Sequence, residues 1–131
     1  NDASIRPSLF IDPDLRQVEA AARVGAAIVE LHTGTYALAT LQHPDFFAQL
    51  NMLEEAAQAA HALGAEVHAG HGLRFDNVGP VAAIAVVREL NIGHFLIGES
   101  IHLGLESAVR TMRSQMDQAR GGRASGTSWD W

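Results

Sequence analysis

The sequence contains neither cysteine nor lysine, and each absence removes a class of chemistry. Without cysteine there is no disulfide, no thiolate nucleophile and no thiolate metal ligand. All nine basic residues are arginine, so no side chain of this chain can form a lysine Schiff base with a carbonyl substrate. No apolar run reaches the roughly 18 residues of a membrane-spanning helix. The net charge of −6 argues against a nucleic-acid-binding surface.

The 131 residues are 47% hydrophobic, which suits one domain or a part of one. Strand-like and helix-like segments alternate along the chain. Strands are predicted over residues 7–11, 26–32, 66–69 and 88–92. Helices are predicted after the first strand (N-cap Asp12, with Pro13 as the first helical residue and Gly25 as the stop), over residues 44–63, and after Asn77. Residues 33–43 are predicted to form a long loop.

The end of the sequence is harder to interpret. Six apolar residues recur at helical spacing, which predicts one last helix that starts near Gly93. They are Ile97, Ile101, Leu105, Val109, Met112 and Met116. Gly98 and Gly104 weaken this helix and can mark close packing or a break. The Gly/Ser-rich residues 121–131 are predicted to be a disordered tail, which leaves residues 1–120 as the folded part.

Four strand–helix units in a row predict a parallel sheet with right-handed crossovers. A complete (β/α)₈ TIM barrel needs eight such units in about 250 residues. We therefore predict an α/β fold that is the C-terminal half of a TIM barrel, since the chain starts almost directly on a strand. A complete open α/β domain of four or five strands is the structural alternative.

The most informative motif is the Gly-His-Gly loop of His71, which directly follows the third predicted strand. Glycine on both sides lets backbone N–H groups approach a ligand, and the imidazole can transfer a proton beside them. His71 is thus either an acid that protonates a leaving group or a solvent-facing loop histidine.

Two other strand ends carry polar residues, where ligands bind in such barrels. Glu30 lies within an apolar strand and is a general base, a charge stabiliser or half of a structural ion pair. His32 faces the same way, where a structural hydrogen bond is favoured. Gly93 and His94 open the last helix, where a phosphate could bind the free N–H groups; the alternative is an ordinary helix-start glycine.

The remaining polar residues give weaker signals. His68 and His71 are three apart and should point to opposite faces of a strand, so we predict no metal site. We interpret His43, His61 and His102 as surface or core residues. Arg74 is more typical of a solvated loop than of an anion site.

Four ordered blocks carry a resemblance to a known family: residues 8–12 (SLFID), 30–34 (ELHTG) with Tyr36, 69–73 (AGHGL) and 90–94 (LNIGH). In order and spacing they resemble pyridoxine 5′-phosphate synthase, the last enzyme of the deoxyxylulose-dependent route to vitamin B6. The resemblance covers about residues 5–120. It implies a cytoplasmic, octameric TIM-barrel transferase without metal or organic cofactor.

The resemblance also implies a reaction and residue roles. The family condenses 1-deoxy-D-xylulose 5-phosphate with 3-amino-2-oxopropyl phosphate to pyridoxine 5′-phosphate, phosphate and water. His71 would be the proton donor and Glu30 the residue that stabilises the transition state. Gly72, Gly93 and His94 would bind the amino-ketone phosphate. Because the imine forms between the two substrates, the lack of lysine fits this chemistry.

The sequence departs from the family mainly in length. The first strands of the family supply another catalytic glutamate, a catalytic histidine and most contacts to deoxyxylulose phosphate, so we expect this chain alone to be inactive. His68, Thr35 and Leu38 are smaller departures. The alternatives are another phosphate-binding TIM-barrel enzyme, such as an epimerase or aldolase, or a half-barrel that lost catalysis and serves as an interaction module.

Overall fold

A single sheet of four parallel strands organises the protein. The computed structural model describes residues 4–39 and 43–121. The strands are β1 (Ser8–Ile11), β2 (Ile28–His32), β3 (Glu66–Gly70) and β4 (Val87–Asn91), and they pair in the order β1-β2-β3-β4. The helices are α1 (Leu15–Arg23), α2 (Gly34–Leu38), α3 (Phe46–Ala62), α4 (Val78–Ala83), α5 (His94–Leu103) and α6 (Leu105–Ala119). The predicted parallel α/β half-barrel is confirmed, with strand ends shifted by one or two residues.

The two faces of the sheet differ, as the alternation along β2 predicts. Val29 and Leu31 point to the helices and are buried, together with Val67 of β3. Phe10, Glu30 and His68 share register positions on the other face, which we call the inner face. Phe10 is 57% exposed there. Within the described residues, β1 and β4 each have one strand neighbour, so one edge of each carries unpaired backbone groups.

The start of α1 differs from the prediction. Asp14, not Asp12, is the N-cap, and its carboxylate accepts a hydrogen bond from the backbone N–H of Arg16 at 2.8 Å. The side chain of Arg16 holds the pKa of Asp14 down to about 2. Asp12 instead exchanges hydrogen bonds with Gln17. Pro13 therefore lies before the helix, which begins at Leu15.

The predicted long loop over residues 33–43 is also wrong in part, because α2 occupies it. Tyr36 explains this helix: its ring packs on Phe46 at 5.3 Å and its hydroxyl donates to the carbonyl of Asn77 at 2.7 Å. Burial, and secondly Asp76, raises the pKa of Tyr36 to about 12, so the phenol keeps its proton for this bond. Residues 40–42 lie outside the described residues.

The single last helix predicted from apolar spacing is in fact two helices. Gly104 separates α5 from α6 with φ +77°, a left-handed conformation that favours glycine. The apolar stripe therefore does not face the core as one surface. Ile101 is 79% exposed, whereas Met112 is 3% exposed. The predicted tail lies outside the described residues apart from Gly121, so its boundary stays a prediction.

No helix within residues 4–39 and 43–121 is long and apolar enough to cross a membrane.

Arg120 fastens the end of α6 to the last strand–helix unit. Its guanidinium donates to the carbonyl of Ala82 at 2.7 Å, to that of Ile84 at 3.2 Å and to that of Val87. These carbonyls lie where α4 ends and β4 begins, so they lack helical partners. One cation thus satisfies three acceptors.

We expect Arg120→Ala to lower the free energy of unfolding by about 1–2 kcal/mol, because charged donors to several carbonyls are lost at once. Urea unfolding of the protein and its variant measures the change. Arg110→Ala is the matched control: the ion pair of Arg110 with Glu106 is exposed on α6, so its loss should cost about 0.3–0.5 kcal/mol. Equal effects of the two substitutions would contradict the fastening role of Arg120.

Candidate active site

A cleft of about 620 Å³ opens at the carboxyl ends of the strands. Its lining includes all five residues that the sequence analysis singled out: Glu30, His71, Gly72, Gly93 and His94. Phe10, Arg74 and Asn91 also line it. The ends of parallel strands place these residues together, because β2, β3 and β4 are neighbours and finish at the same edge. The grouping of the five residues is a geometric fact, and their chemical roles stay predictions.

Glu30 is held by a residue that the sequence analysis did not propose for the site. Asn91, the last residue of β4, donates its side-chain N–H to Oε2 of Glu30 at 2.8 Å. The strand β3 lies between the two, and Gly70 makes the contact possible. A Cβ atom on Gly70 would lie 2.6 Å from the carbonyl oxygen of Asn91 and 2.8 Å from Oε1 of Glu30.

His71 has a backbone conformation that is uncommon for a side-chain-bearing residue, with φ +84°. Contacts on both sides fix it there. Its carbonyl oxygen lies 2.6 Å from the hydroxyl of Thr33, which is buried and also reaches the carbonyl of Gly70 at 2.6 Å. The next residue, Gly72, also has positive φ, and a Cβ atom on it would meet Ala37 at 2.9 Å. The Gly-His-Gly loop is therefore a fixed structure that presents the imidazole to the cleft.

A second histidine lies beside His71 and supports it. The ring of His32 is 4.7 Å from that of His71 and 5.1 Å from that of Phe10. Its Nδ1 atom lies 3.6 Å from a carboxylate oxygen of Asp12. Gly34 leaves room for these rings, since a Cβ atom there would lie 2.7 Å from the ring of His32. In the described part of the chain, His32 makes these ring contacts and the 3.6 Å approach to Asp12 rather than the structural hydrogen bond that the sequence favoured.

Gly93 and His94 form the start of α5, as predicted. Gly93 is the N-cap, and its carbonyl accepts the first helical hydrogen bond, from Ile97, at 3.0 Å. The amides of the first helical turn lack partners within such a helix and point toward its N-terminal end. No heavy atom lies within 4 Å of where a Cβ on Gly93 would be, so the space in front of it is open. An anionic group in the cleft can approach these amides.

Arg74 lies in the cleft wall, although the sequence favoured a solvated loop residue. Its Nε atom pairs with Asp76 at 3.1 Å, and its side chain stays partly exposed. Phe10 was also not proposed, yet its alternation against Leu9 and Ile11 in β1 is a signal that places it on the inner face. For Asn91, only the residue block shared with the family offered a signal.

The other histidines lie apart from this chemistry. Both ring nitrogens of His68 have carboxylate neighbours, Glu66 at 2.9 Å and Glu89 at 3.6 Å. The hydrogen bond from His68, and then that from Arg6, lowers the pKa of Glu66. His43, His61 and His102 are exposed. Among residues 4–39 and 43–121, no three His, Asp or Glu side chains are grouped so that they could hold a metal ion.

A family model and three curated relatives all relate this chain to one protein family. The model of the family described as "Pyridoxal phosphate biosynthesis protein PdxJ" matches residues 1–118. The chain is 55% identical over 125 residues to the pyridoxine 5′-phosphate synthase of Rhodospirillum rubrum, covering 95% of this chain and 50% of that protein.

Two further relatives show the same coverage. The enzymes of the same name from Zymomonas mobilis and Roseobacter denitrificans are 52% and 55% identical over 118 and 122 residues, or 90% and 91% of this chain. The chain covers 45% and 49% of them, so it spans about half the length of the curated relatives that it matches. The chain belongs to the PdxJ family of pyridoxal phosphate biosynthesis proteins and corresponds to the C-terminal half of its members.

Proposed function

We propose that these residues form part of the active site of a pyridoxine 5′-phosphate synthase. In this proposal, 1-deoxy-D-xylulose 5-phosphate condenses with 3-amino-2-oxopropyl phosphate to give pyridoxine 5′-phosphate, phosphate and water. The observation that carries the proposal is the meeting of Glu30, His71, Gly72, Gly93 and His94 in one cleft at the ends of adjacent strands. The names of the relatives support the same activity.

The geometry suits a condensation that proceeds by proton transfers. Histidine is the side chain best suited to give and take protons near neutral pH, and the fixed loop aims the imidazole of His71 into the cleft. His71 then protonates the oxygen that leaves as water or phosphate. The carboxylate of Glu30 stabilises the positive charge that develops on the imine nitrogen between the two substrates.

The N-terminus of α5 binds the phosphate of the amino ketone. The amides behind Gly93, the loop amide of Gly72 and the ring of His94 bind its oxygens. Since a helix N-terminus carries partial positive charge, it suits a phosphate in a chain whose net charge is negative.

In the proposal, the N-terminal half of the TIM barrel covers the inner face of the sheet in this chain. Phe10 and the unpaired edges of β1 and β4 are then covered by further strands. The half-barrel alone should be inactive, and the octameric, cytoplasmic state implied by the resemblance stays a prediction.

A fused protein tests the proposal: the first half of the Rhodospirillum rubrum synthase followed by this chain. We expect it to form pyridoxine 5′-phosphate from the two substrates, measured by mass spectrometry, with release of inorganic phosphate. The intact Rhodospirillum rubrum enzyme controls for the substrates, and the 131-residue chain should form no product. A fused protein that folds, by circular dichroism, and forms no product would overturn the proposal. A stable folded monomer of the chain alone in gel filtration would favour the interaction module.

A further inference from the structure

We propose that Asn91 is a positioning residue that orients the Glu30 carboxylate across strand β3. The proposal rests on the function proposed above, because the orientation of the Glu30 carboxylate affects the reaction only if Glu30 acts on the substrates. Asn91 does not touch the reacting atoms in this scheme. It acts through Glu30 and through the loop that carries His71.

The contact is specific in its geometry. The side-chain amide of Asn91 donates to Oε2 of Glu30 at 2.8 Å, and the pair is partly buried. Asn91 is on β4 and Glu30 is on β2. The hydrogen bond between their side chains therefore passes across β3, the strand that lies between them. Gly70 of β3 supplies the passage, because any Cβ there would collide with both partners.

The chemistry of the two side chains makes this bond directional. An ionised carboxylate only accepts hydrogen bonds, and an amide N–H bound to it is a charge-assisted donor. Glutamate has three side-chain torsions, so an isolated Glu30 would sample several orientations. A donor fixed on β4 selects one of them and leaves Oε1 directed along the passage at Gly70.

Asn91 also contacts the loop of the proposed acid. Its backbone carbonyl accepts from the backbone N–H of His71 at 3.5 Å, a long bond. The same carbonyl oxygen lies so close to Gly70 that a Cβ atom on this residue would be 2.6 Å from it. One residue therefore lies between the carboxylate and the loop histidine, and it sets their relative position.

Other groups near Glu30 can influence any pH measurement on it. Phe10 on β1 is apolar, and His68 on β3 is the register partner of Glu30. Among the described residues, the other titratable groups on this face, in its loops and in the cleft wall are His32, Glu66, His71, Arg74, Glu89 and His94, with Asp12 beside His32 and Asp76 beside Arg74. All of them are the same in the variants compared below, so a difference between variants reports on position 91.

The test uses Asn91→Ala, Asn91→Asp and Asn91→Gln in the fused protein. Asn91→Ala should lower kcat about 10- to 100-fold at neutral pH, with a smaller change in KM, because the lost donor binds a charged group. Asn91→Asp has the same shape but presents a carboxylate to Glu30. Its kcat should be equally low at neutral pH and should recover as the pH falls, because one shared proton restores a donor between the two carboxylates. The kcat of Asn91→Gln should lie between that of the parent and that of Asn91→Ala.

Asn51→Asp is the matched control, since Asn51 is exposed on α3. It should keep the parent kcat and the parent pH profile. An Asn91→Ala variant with parent kcat, or an Asn91→Asp variant whose kcat does not recover in acid, would overturn the positioning role. Circular dichroism should show Asn91→Asp to be folded at neutral pH; a variant that folds only in acid would overturn the positioning role, because relief of the repulsion between the two carboxylates would then explain the recovery.

A second readout does not depend on activity. The ¹³C-carboxyl resonance of Glu30, assigned by its loss in Glu30→Gln, should titrate at a higher pH in Asn91→Asp than in the parent fused protein. An unchanged titration would overturn the proposed contact. If the parent forms no product while Asn91→Asp shows the shifted titration, the proposed function is overturned and the contact between Asn91 and Glu30 is established.

Discussion

Replacement of His71 by asparagine in the fused protein should lower kcat by about 10²- to 10⁴-fold, the range expected for loss of a general acid. Asparagine is the appropriate substitute because it tolerates the left-handed backbone that His71 adopts at φ +84°. The Gly-His-Gly loop should therefore keep its shape while the proton donor is lost. KM for the two phosphorylated substrates should change much less than kcat.

Steady-state product formation over a range of pH measures this effect. His61→Asn is the control, because His61 is exposed on α3 and does not line the cleft. If His71→Asn keeps more than a tenth of the parent kcat, His71 is not the proton donor.

Replacement of Glu30 by glutamine should lower kcat by about 10²- to 10³-fold, the range measured when a preorganised electrostatic contact is removed. Glutamine keeps the length of the side chain, and its amide oxygen can still accept the hydrogen bond from Asn91. The substitution therefore removes the negative charge while it keeps the position. We expect substrate binding to be largely retained, because the charge matters most when positive charge develops on the imine.

Single-turnover measurements separate this loss from slow product release, since they follow the chemical step directly. Glu19→Gln makes the same change on the exposed side of α1 and should leave kcat unchanged. Product formed by Glu30→Gln at the parent rate would leave Glu30 as a structural partner of Asn91. Glu30 would then have no electrostatic role in catalysis.

Local patterns in the sequence predicted much of the site. The alternation in β2 placed Glu30 on the face opposite Val29 and Leu31, because neighbouring strand residues point to opposite faces. Glycines on both sides indicated the loop of His71. Gly93 indicated a helix start, and α5 begins at the next residue. Each of these signals depends on a few adjacent residues.

Two features that escaped prediction, α2 and the bond between Asn91 and Glu30, depend on contacts between distant residues. α2 forms because Tyr36 reaches the carbonyl of Asn77, 41 residues away. The bond between Asn91 and Glu30 joins residues 61 apart, and the irregular register between β3 and β4 decides it. The break at Gly104 was ambiguous because the apolar spacing continues through the glycine, while the backbone reverses its φ there. Hydrophobic periodicity reports neither a contact between distant residues nor the sign of φ at a single glycine.

The bare Cα of Gly70 also has a consequence for how this sequence can change. A Cβ atom there would lie 2.6 Å from the backbone carbonyl oxygen of Asn91, which every residue at position 91 retains, so smaller residues at 30 and 91 make no room for a side chain at 70. In a library that randomises all three positions, glycine should therefore be retained at 70 in every selected sequence. The codons at 30 and 91 should show epistasis with each other, because their side chains are hydrogen-bond partners across that glycine.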